Sequence, residues 1–270
     1  MNLHDRYHKV LDGIAAAAAK AKRSPKEITL IGVTKTASTD AIKQVIEMGL
    51  RDLGESRVQQ LQQRVAQVEE WLIRQQVRKA GETGGGAKGA LEKQVPPPGG
   101  VRWHMIGHLQ RNKVRPIMNL CQVIHSVDSL RLAEEIHEEA ERSSAAAAAQ
   151  PAGTAAPAPA KPMEILLEVN VAGEGSKFGV AVGAALHLAE QIDTMDDIHL
   201  IGLMCMAPFS SNPEDARPVF VRLREIYEEI RFRKIGGDKF RHLSMGMSGD
   251  YQVAIEEGAT MVRLGTAIFG

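Results

Sequence analysis

Strand-like and helix-like segments alternate along most of this chain, and that alternation limits its fold more than any other feature. Eight short strand-like runs recur, most of them apolar and rich in β-branched residues: ITLIGVTK (28–35), RDLGES (51–56), VRWHMIGH (101–108), QVIHSVD (122–128), MEILLEVNV (163–171), IHLIGLMCMA (198–207), FRHLSMGMS (240–248) and MVRLGTAIFG (261–270). Each of the first seven precedes a stretch with helical spacing, such as TDAIKQVIEMG, VQQLQQRVAQVEEWLIRQQ, QRNKVRPIMN or SLRLAEEIHEEAER. A further helix is predicted over 3–22, ahead of the first run. Ser38 or Thr39 suits a helix N-cap and Gly49 a stop. Strands separated by helices make a parallel sheet with helices outside it. Eight such units in this length predict a closed (β/α)8 barrel, the TIM-barrel architecture, with one extra N-terminal helix. An open doubly wound sheet competes, but it usually carries a glycine-rich turn after its first strand. Here that turn reads TKTASTD, without glycine.

Two segments break the pattern. Residues 80–100 are rich in Gly and Pro, and 143–162 consist almost wholly of Ala, Pro and small polar residues. Neither can bury enough apolar surface to offset its ordering entropy. Both follow a helix and precede a strand, so in a barrel they sit on the N-terminal face, opposite the usual active-site face. The alanine stretch also suits an extension of the fourth helix. Residues 1–270 are therefore expected to form one barrel domain carrying two insertions. Basic and acidic residues balance at 33 each, which argues against a dedicated nucleic-acid binder. The two cysteines, Cys121 and Cys205, are too few for a disulfide framework and suit a reducing compartment. No signal-peptide pattern or membrane-length apolar run occurs, so the expected location is the cytoplasm, away from membranes.

Barrel sites are built where strands end, and the strand ends here are chemically loaded. Lys35 closes the first run. A lysine there can lay its stem on apolar neighbours and leave its ammonium in water. Alternatively, a partly desolvated amine is available to attack an aldehyde. Its expected company favours the second reading. Gly246 and Gly249 in SMGMSGD allow close backbone approach, and Ser248 is expected to open the helix that follows. Gly265 and Thr266 offer further donors after the last strand, where barrels often hold a phosphate. A plain helix cap and close strand packing would account for each feature singly. Together, an amine and a phosphate cup across one cavity suit pyridoxal 5′-phosphate (PLP). The nine histidines show no HxH or HExxH spacing and there is no CxxC, so no metal site is expected. His125 and His242 read as hydrogen-bonded residues near the cavity. The basic cluster Gln110–Arg115 suits either a solvated segment or the rim of an anion site.

The motifs GVTKTASTDAI, DLGESRVQQ, WHMIGHLQRNK, HSVDSLRLA, LLEVNVAGEGSKFG, GLMCMAP, LSMGMSGD and VRLGTAIFG, in this order, resemble those of the pyridoxal phosphate homeostasis proteins. That family shares the barrel of the alanine racemase N-terminal domain. The resemblance covers nearly the whole chain outside the two insertions. It implies PLP bound as an aldimine to Lys35, with phosphate contacts around Ser244, Ser248, Gly265 and Thr266. It also implies Arg263 near the pyridine nitrogen, with Asn170 and His104 lining the ring. A permanent cation at that nitrogen disfavours a pyridinium and weakens the ring as an electron sink. The chain departs from the family pattern at Ser56, where GENYVQE is usual, and at Arg111, where LQSNK is usual.

Two functions remain. One is a PLP-binding homeostasis protein, a monomer without strong catalytic activity that holds the cofactor and delivers it to PLP-dependent apoenzymes. The other is an amino-acid racemase-like PLP enzyme. Two-base racemisation needs a second acid/base opposite the lysine, and in alanine racemases it is a tyrosine from a separate C-terminal domain. The chain stops with its eighth run, so that domain is not expected here. Its only tyrosines are Tyr7, Tyr227 and Tyr251, and none ends a strand. The homeostasis reading is therefore preferred. A role for the insertions in contacting protein partners is a third class, with less behind it.

Overall fold

The computed structural model of the chain describes residues 1–82, 100–148, 162–173 and 178–270. Strands β1 (Thr29–Val33), β2 (Asp52–Glu55), β3 (Arg102–Met105), β4 (Val123–Val127) and β5 (Met163–Asn170) are followed by a two-residue β6 (Val180–Ala181). Then come β7 (Ile198–Met204), β8 (His242–Ser244) and β9 (Met261–Leu264). The hydrogen-bonded order is β4-β3-β2-β1-β9-β8-β7-β5, and pairing of β4 with β5 closes the ring. All pairs are parallel. This is the eight-stranded barrel that the alternation predicts, with β6 a short addition beside β5.

Helices α1 (Leu3–Lys20), α2 (Thr39–Glu47), α3 (Val58–Glu82), α4 (Leu130–Ala148), α5 (Val182–Ile192), α6 (Arg217–Phe232), α7 (Tyr251–Glu256) and α8 (Thr266–Phe269) surround it. Ser38 caps α2 by accepting from the Ala41 amide, and Gly49 follows its end at φ +109°, a conformation that costs glycine nothing. α4 continues as far as Ala148, so part of the alanine-rich tract extends this helix as anticipated. The rest of both insertions lies outside the described residues.

Two expected elements differ. The segment after β3 forms two single 3₁₀ turns, Arg111–Lys113 and Arg115–Ile117, instead of a helix. Pro116 has no N–H to donate and starts a new turn. The eighth run does not stay extended: β9 ends at Leu264 and the chain turns at Gly265 into α8.

Side-chain alternation divides the core in two. Outward residues such as Leu30, Leu53, Ile165, Leu167, Leu203 and Val262 join the helices in one large cluster. Ile31, Val123, Leu166, Ile201, Met204 and Met261 form a second cluster inside the barrel. The same parity turns Asp52, His104, His125, Ser244 and Arg263 inward, so the barrel interior is partly polar. Among the described residues, no helix is long and apolar enough to cross a membrane.

Candidate functional site

A cavity of about 530 Å³ opens among the C-terminal ends of the strands. Lys35, Ser248, Arg263, Gly265 and Thr266 all line it. These come from the loops after β1, β8 and β9 and from β9 itself, and β1–β9 and β8–β9 are neighbouring pairs.

Lys35 lies two residues past β1, in a turn closed by the Ala37 amide donating to Thr34 O at 3.0 Å. Ile31, Val33 and Lys35 alternate with outward neighbours, which directs the lysine to the barrel mouth. The turn is anchored from below: buried Thr34 donates through Oγ1 to Glu55 Oε1 at 2.6 Å, and the Ser56 amide donates to Glu55 Oε2 at 3.3 Å. Burial pushes the Glu55 carboxyl above its usual range, against those hydrogen bonds. Lys35 itself is exposed, rather than partly desolvated as anticipated from sequence.

The loop after β8 is shaped by its own hydrogen bonds. Gly246 adopts φ +94° and its carbonyl accepts from the Arg263 amide at 3.0 Å. Asp250 Oδ1 accepts from the Met247 amide at 2.6 Å. Ser248 does not open α7 as expected, since Asp250 occupies the N-cap position. Its Oγ instead accepts from the Ala267 amide at 3.1 Å, which ties this loop to the start of α8. Burial raises the Asp250 carboxyl, with the Met247 amide and Arg263 opposing.

Arg263 is buried, at 4% exposure. Its Nη1 donates to Ser244 O (2.8 Å) and Ser244 Oγ (2.6 Å), and Nη2 donates to Cys205 O (2.8 Å). All three acceptors are neutral. Burial lowers the pKa of the guanidinium, while Cys205, Glu168 and Asp250 oppose the shift.

The remaining sequence candidates stand apart from the cavity lining. Ser244 and His104 are fully buried beneath it, in the barrel interior. Asn170, at the end of β5, accepts from the Gly173 amide at 3.1 Å. His125 is hydrogen-bonded in the interior. Sequence reasoning missed Asp250 and Met247 as lining residues, while Ser56, the departure noted at the end of the second run, does line the cavity. It also missed Phe209, 98% exposed at the rim. Position in the SMGMSGD loop was the available signal for Asp250 and Met247. A larger cavity, about 700 Å³, lies on the opposite face among Arg102, Glu164, His199, Arg241 and His242. No lysine lines it.

Comparison with known proteins agrees with this arrangement. Residues 11–270 match the family described as alanine racemase, N-terminal domain. The pyridoxal phosphate homeostasis protein of Aquifex aeolicus is 34% identical over 270 residues, covering 100% of this chain and 98% of its own. That of Escherichia coli K12 is 32% identical, covering 97% and 93%. A crystal structure of an unknown protein from Bifidobacterium adolescentis superposes with TM-score 0.77 at 35% identity, covering 99% of this chain and 94% of that one. PipY of Synechococcus elongatus PCC7942, a structure with PLP bound, gives TM-score 0.69 at 26% identity, covering 95% and 100%. Alanine racemase of Clostridium difficile 630 (TM-score 0.62, 13% identity) shares the fold over 100% of this chain and 56% of its own.

Proposed function

The chain belongs to the pyridoxal phosphate homeostasis proteins, built on the alanine racemase N-terminal domain, and from that premise we propose that it binds PLP in the cavity at the C-terminal strand ends. Its role on this reading is to hold and deliver the cofactor in the cytoplasm, as a monomer serving PLP-dependent apoenzymes, without strong catalysis of its own. The observation that carries the reading is the convergence of Lys35, the Ser248 and Gly265–Thr266 loops and Arg263 on one cavity.

The residues present fit the group. Bound PLP would supply an electrophilic aldehyde, and Lys35, which lines the cavity, is the amine that would hold it as an aldimine. The loops around Ser248, Gly265 and Thr266 receive the phosphate. Gly265 packs against the end of β1, where an added Cβ would stand 3.4 Å from Val33 Cβ and O. Arg263, a buried cation lining the cavity, would stand near the pyridine nitrogen and disfavour its protonation, which would limit the ring as an electron sink. Ser244 acts from beneath by holding Arg263. His104 and Asn170 take part from outside the lining.

The position of the tyrosines weighs against racemase chemistry. None of the three lines the cavity. Tyr7 and Tyr227 are buried in the outer core. The Tyr251 hydroxyl lies against α1, 2.1 Å from where a Cβ on Gly13 would stand. Of the lining side chains, Asp250 is tied to the Met247 amide.

The test is the visible absorption of purified protein titrated with PLP. Wild type is expected to develop a yellow aldimine band and Lys35→Ala to lack it. A wild type that stays colourless overturns the binding claim. Rapid, Lys35-dependent formation of D-amino acids from L-isomers overturns the non-catalytic one.

A further inference from the structure

A continuous hydrogen-bonded chain crosses the barrel interior beneath the cavity. Arg263 Nη1 donates to Ser244 Oγ at 2.6 Å. Ser244 Oγ lies 2.9 Å from His125 Nδ1, and His125 Nε2 lies 2.8 Å from His104 Nδ1. His104 Nε2 lies 2.9 Å from Asp52 Oδ1. Asp52 opens β2 on the opposite face of the barrel, and its side chain is 21% exposed. His104, His125 and Ser244 are fully buried. The chain therefore links the cavity to the far side of the molecule through side chains from β9, β8, β4, β3 and β2.

The hydrogens along it can be ordered from the ends. A carboxylate oxygen only accepts, so His104 Nε2 carries the proton it donates to Asp52. A neutral imidazole has one N–H, so His104 Nδ1 is then an acceptor and His125 Nε2 its donor. By the same step His125 Nδ1 is an acceptor and the Ser244 hydroxyl donates to it. That leaves the Ser244 lone pairs to face Arg263, which only donates. Every bond points the same way, from cation to carboxylate. Each intervening group presents its lone pair toward Arg263 and its hydrogen toward Asp52, so both end charges favour this order. The reverse order is opposed at both ends. Burial holds the pKa of both imidazoles below the usual value. That direction favours the neutral rings on which the order rests.

We propose that Asp52 is a positioning residue for Arg263: it fixes the tautomers of His104 and His125, orients the Ser244 hydroxyl, and so holds the guanidinium at the floor of the cavity. Hydrogen bonds in such a row polarise one another, which makes Ser244 Oγ a stronger acceptor for Arg263 than an isolated serine. The effect on ligand binding rests on the PLP reading above, whereas the order of hydrogens does not.

The test has two arms on the full chain. In the ligand-free protein, ring ¹⁵N signals of His104 and His125 are expected to be those of neutral imidazoles protonated at Nε2. An Nδ1–H ring or an imidazolium at either position overturns the relay, whether or not PLP binds. In the second arm PLP is titrated into Asp52→Ala and Asp52→Asn. Asp52→Ala is expected to bind about three- to tenfold more weakly, the share of one hydrogen bond. Asp52→Asn keeps a carbonyl acceptor and is expected within about twofold of wild type on the same reasoning. An Asp52→Ala affinity equal to wild type overturns the positioning role. So does an Asp52→Asn as weak as Asp52→Ala, because it assigns the loss to charge or packing rather than to bond order. A wild type that binds no PLP fails the functional reading instead, and the imidazole signals still decide the relay.

Discussion

Replacing Gly246 by Ala tests how the SMGMSGD loop is built. Gly246 stands at φ +94°, where a side chain is strained by about 1–2 kcal/mol. Space is short as well: an added Cβ would stand 2.6 Å from Ala254 Cβ, 3.0 Å from Tyr251 Cα and 3.5 Å from Tyr251 Cβ. Ala254 is buried in α7, so relief requires α7 to move, at about 1–3 kcal/mol for overpacking. Gly246→Ala is therefore expected to cost about 2–5 kcal/mol, a large share of the stability of an ordinary domain. Ala254→Gly removes the nearest contact but not the backbone strain. Alone it costs about 1 kcal/mol in helix propensity and about 0.8 kcal/mol for the lost methyl. In the double variant the two changes should couple favourably by about 1–2 kcal/mol, the steric part of the Gly246→Ala cost. Urea melts of the four proteins in this cycle measure both quantities, and PLP titration reports the loop, since Ser248 and Asp250 hang from this turn. A Gly246→Ala cost below about 1 kcal/mol, or additivity within about 0.5 kcal/mol, refutes the account.

Two further changes probe the barrel. Gly202 sits where β5 and β7 shift register, and a Cβ there would stand 1.9 Å from His242 O on β8. Gly202→Ala should cost at least about 3 kcal/mol or yield insoluble protein, because a neighbouring backbone has little room to yield; a denaturation midpoint equal to wild type would show that the barrel accommodates it. Glu168 is 3% exposed, and burial, with Asp128 adding to it, raises its pKa from 4.5 to about 7. The folded state therefore binds this proton more tightly than the unfolded one, and the associated stability is lost as pH rises from about 4.5 through about 7. Glu168→Gln lacks that loss, so its stability relative to wild type should improve by on the order of 3 kcal/mol between pH 4 and 8. Parallel stability curves for the two proteins over that range contradict it.

The barrel was legible in the chain because alternation is local: each β-branched run and each helical stretch can be read without knowing the others. Lys35 and the Ser248 and Gly265 loops were legible for the same reason, as each sits in a short motif at a strand end. The relay was not, because it joins residues from five strands. Parity turns Asp52, His104, His125 and Ser244 inward, but only closure of the ring fixes their heights and so their contacts. His104 illustrates the gap: the resemblance implies that it lines the ring, yet its height puts it beneath the cavity and against His125. The missed turns after β3 and β9 have local causes, Pro116 and Gly265, which periodicity over a longer window conceals.

Arg263 is where fold and proposed function meet. A guanidinium taken out of water and given only neutral acceptors is an expensive thing to bury. Beyond the nearby Glu168 and Asp250, which favour the charged form, two features offset the cost. Below, the row of oriented groups ends at the Asp52 carboxylate, so the field of a distant negative charge reaches Arg263 through aligned dipoles. Above, an anionic ligand in the cavity adds negative charge nearby. On the proposed placement this cation also sits against the ring nitrogen, where it opposes a pyridinium. An enzyme making carbanions would gain from the protonated ring and from a second base; on the proposed placement Arg263 would oppose the first, and none of the three tyrosines lines the cavity to act as the second. A protein that retains a reactive aldehyde requires only an amine, a phosphate cradle and a ring that stays unreactive toward deprotonation, and on the proposed placement one buried arginine would serve the last of these.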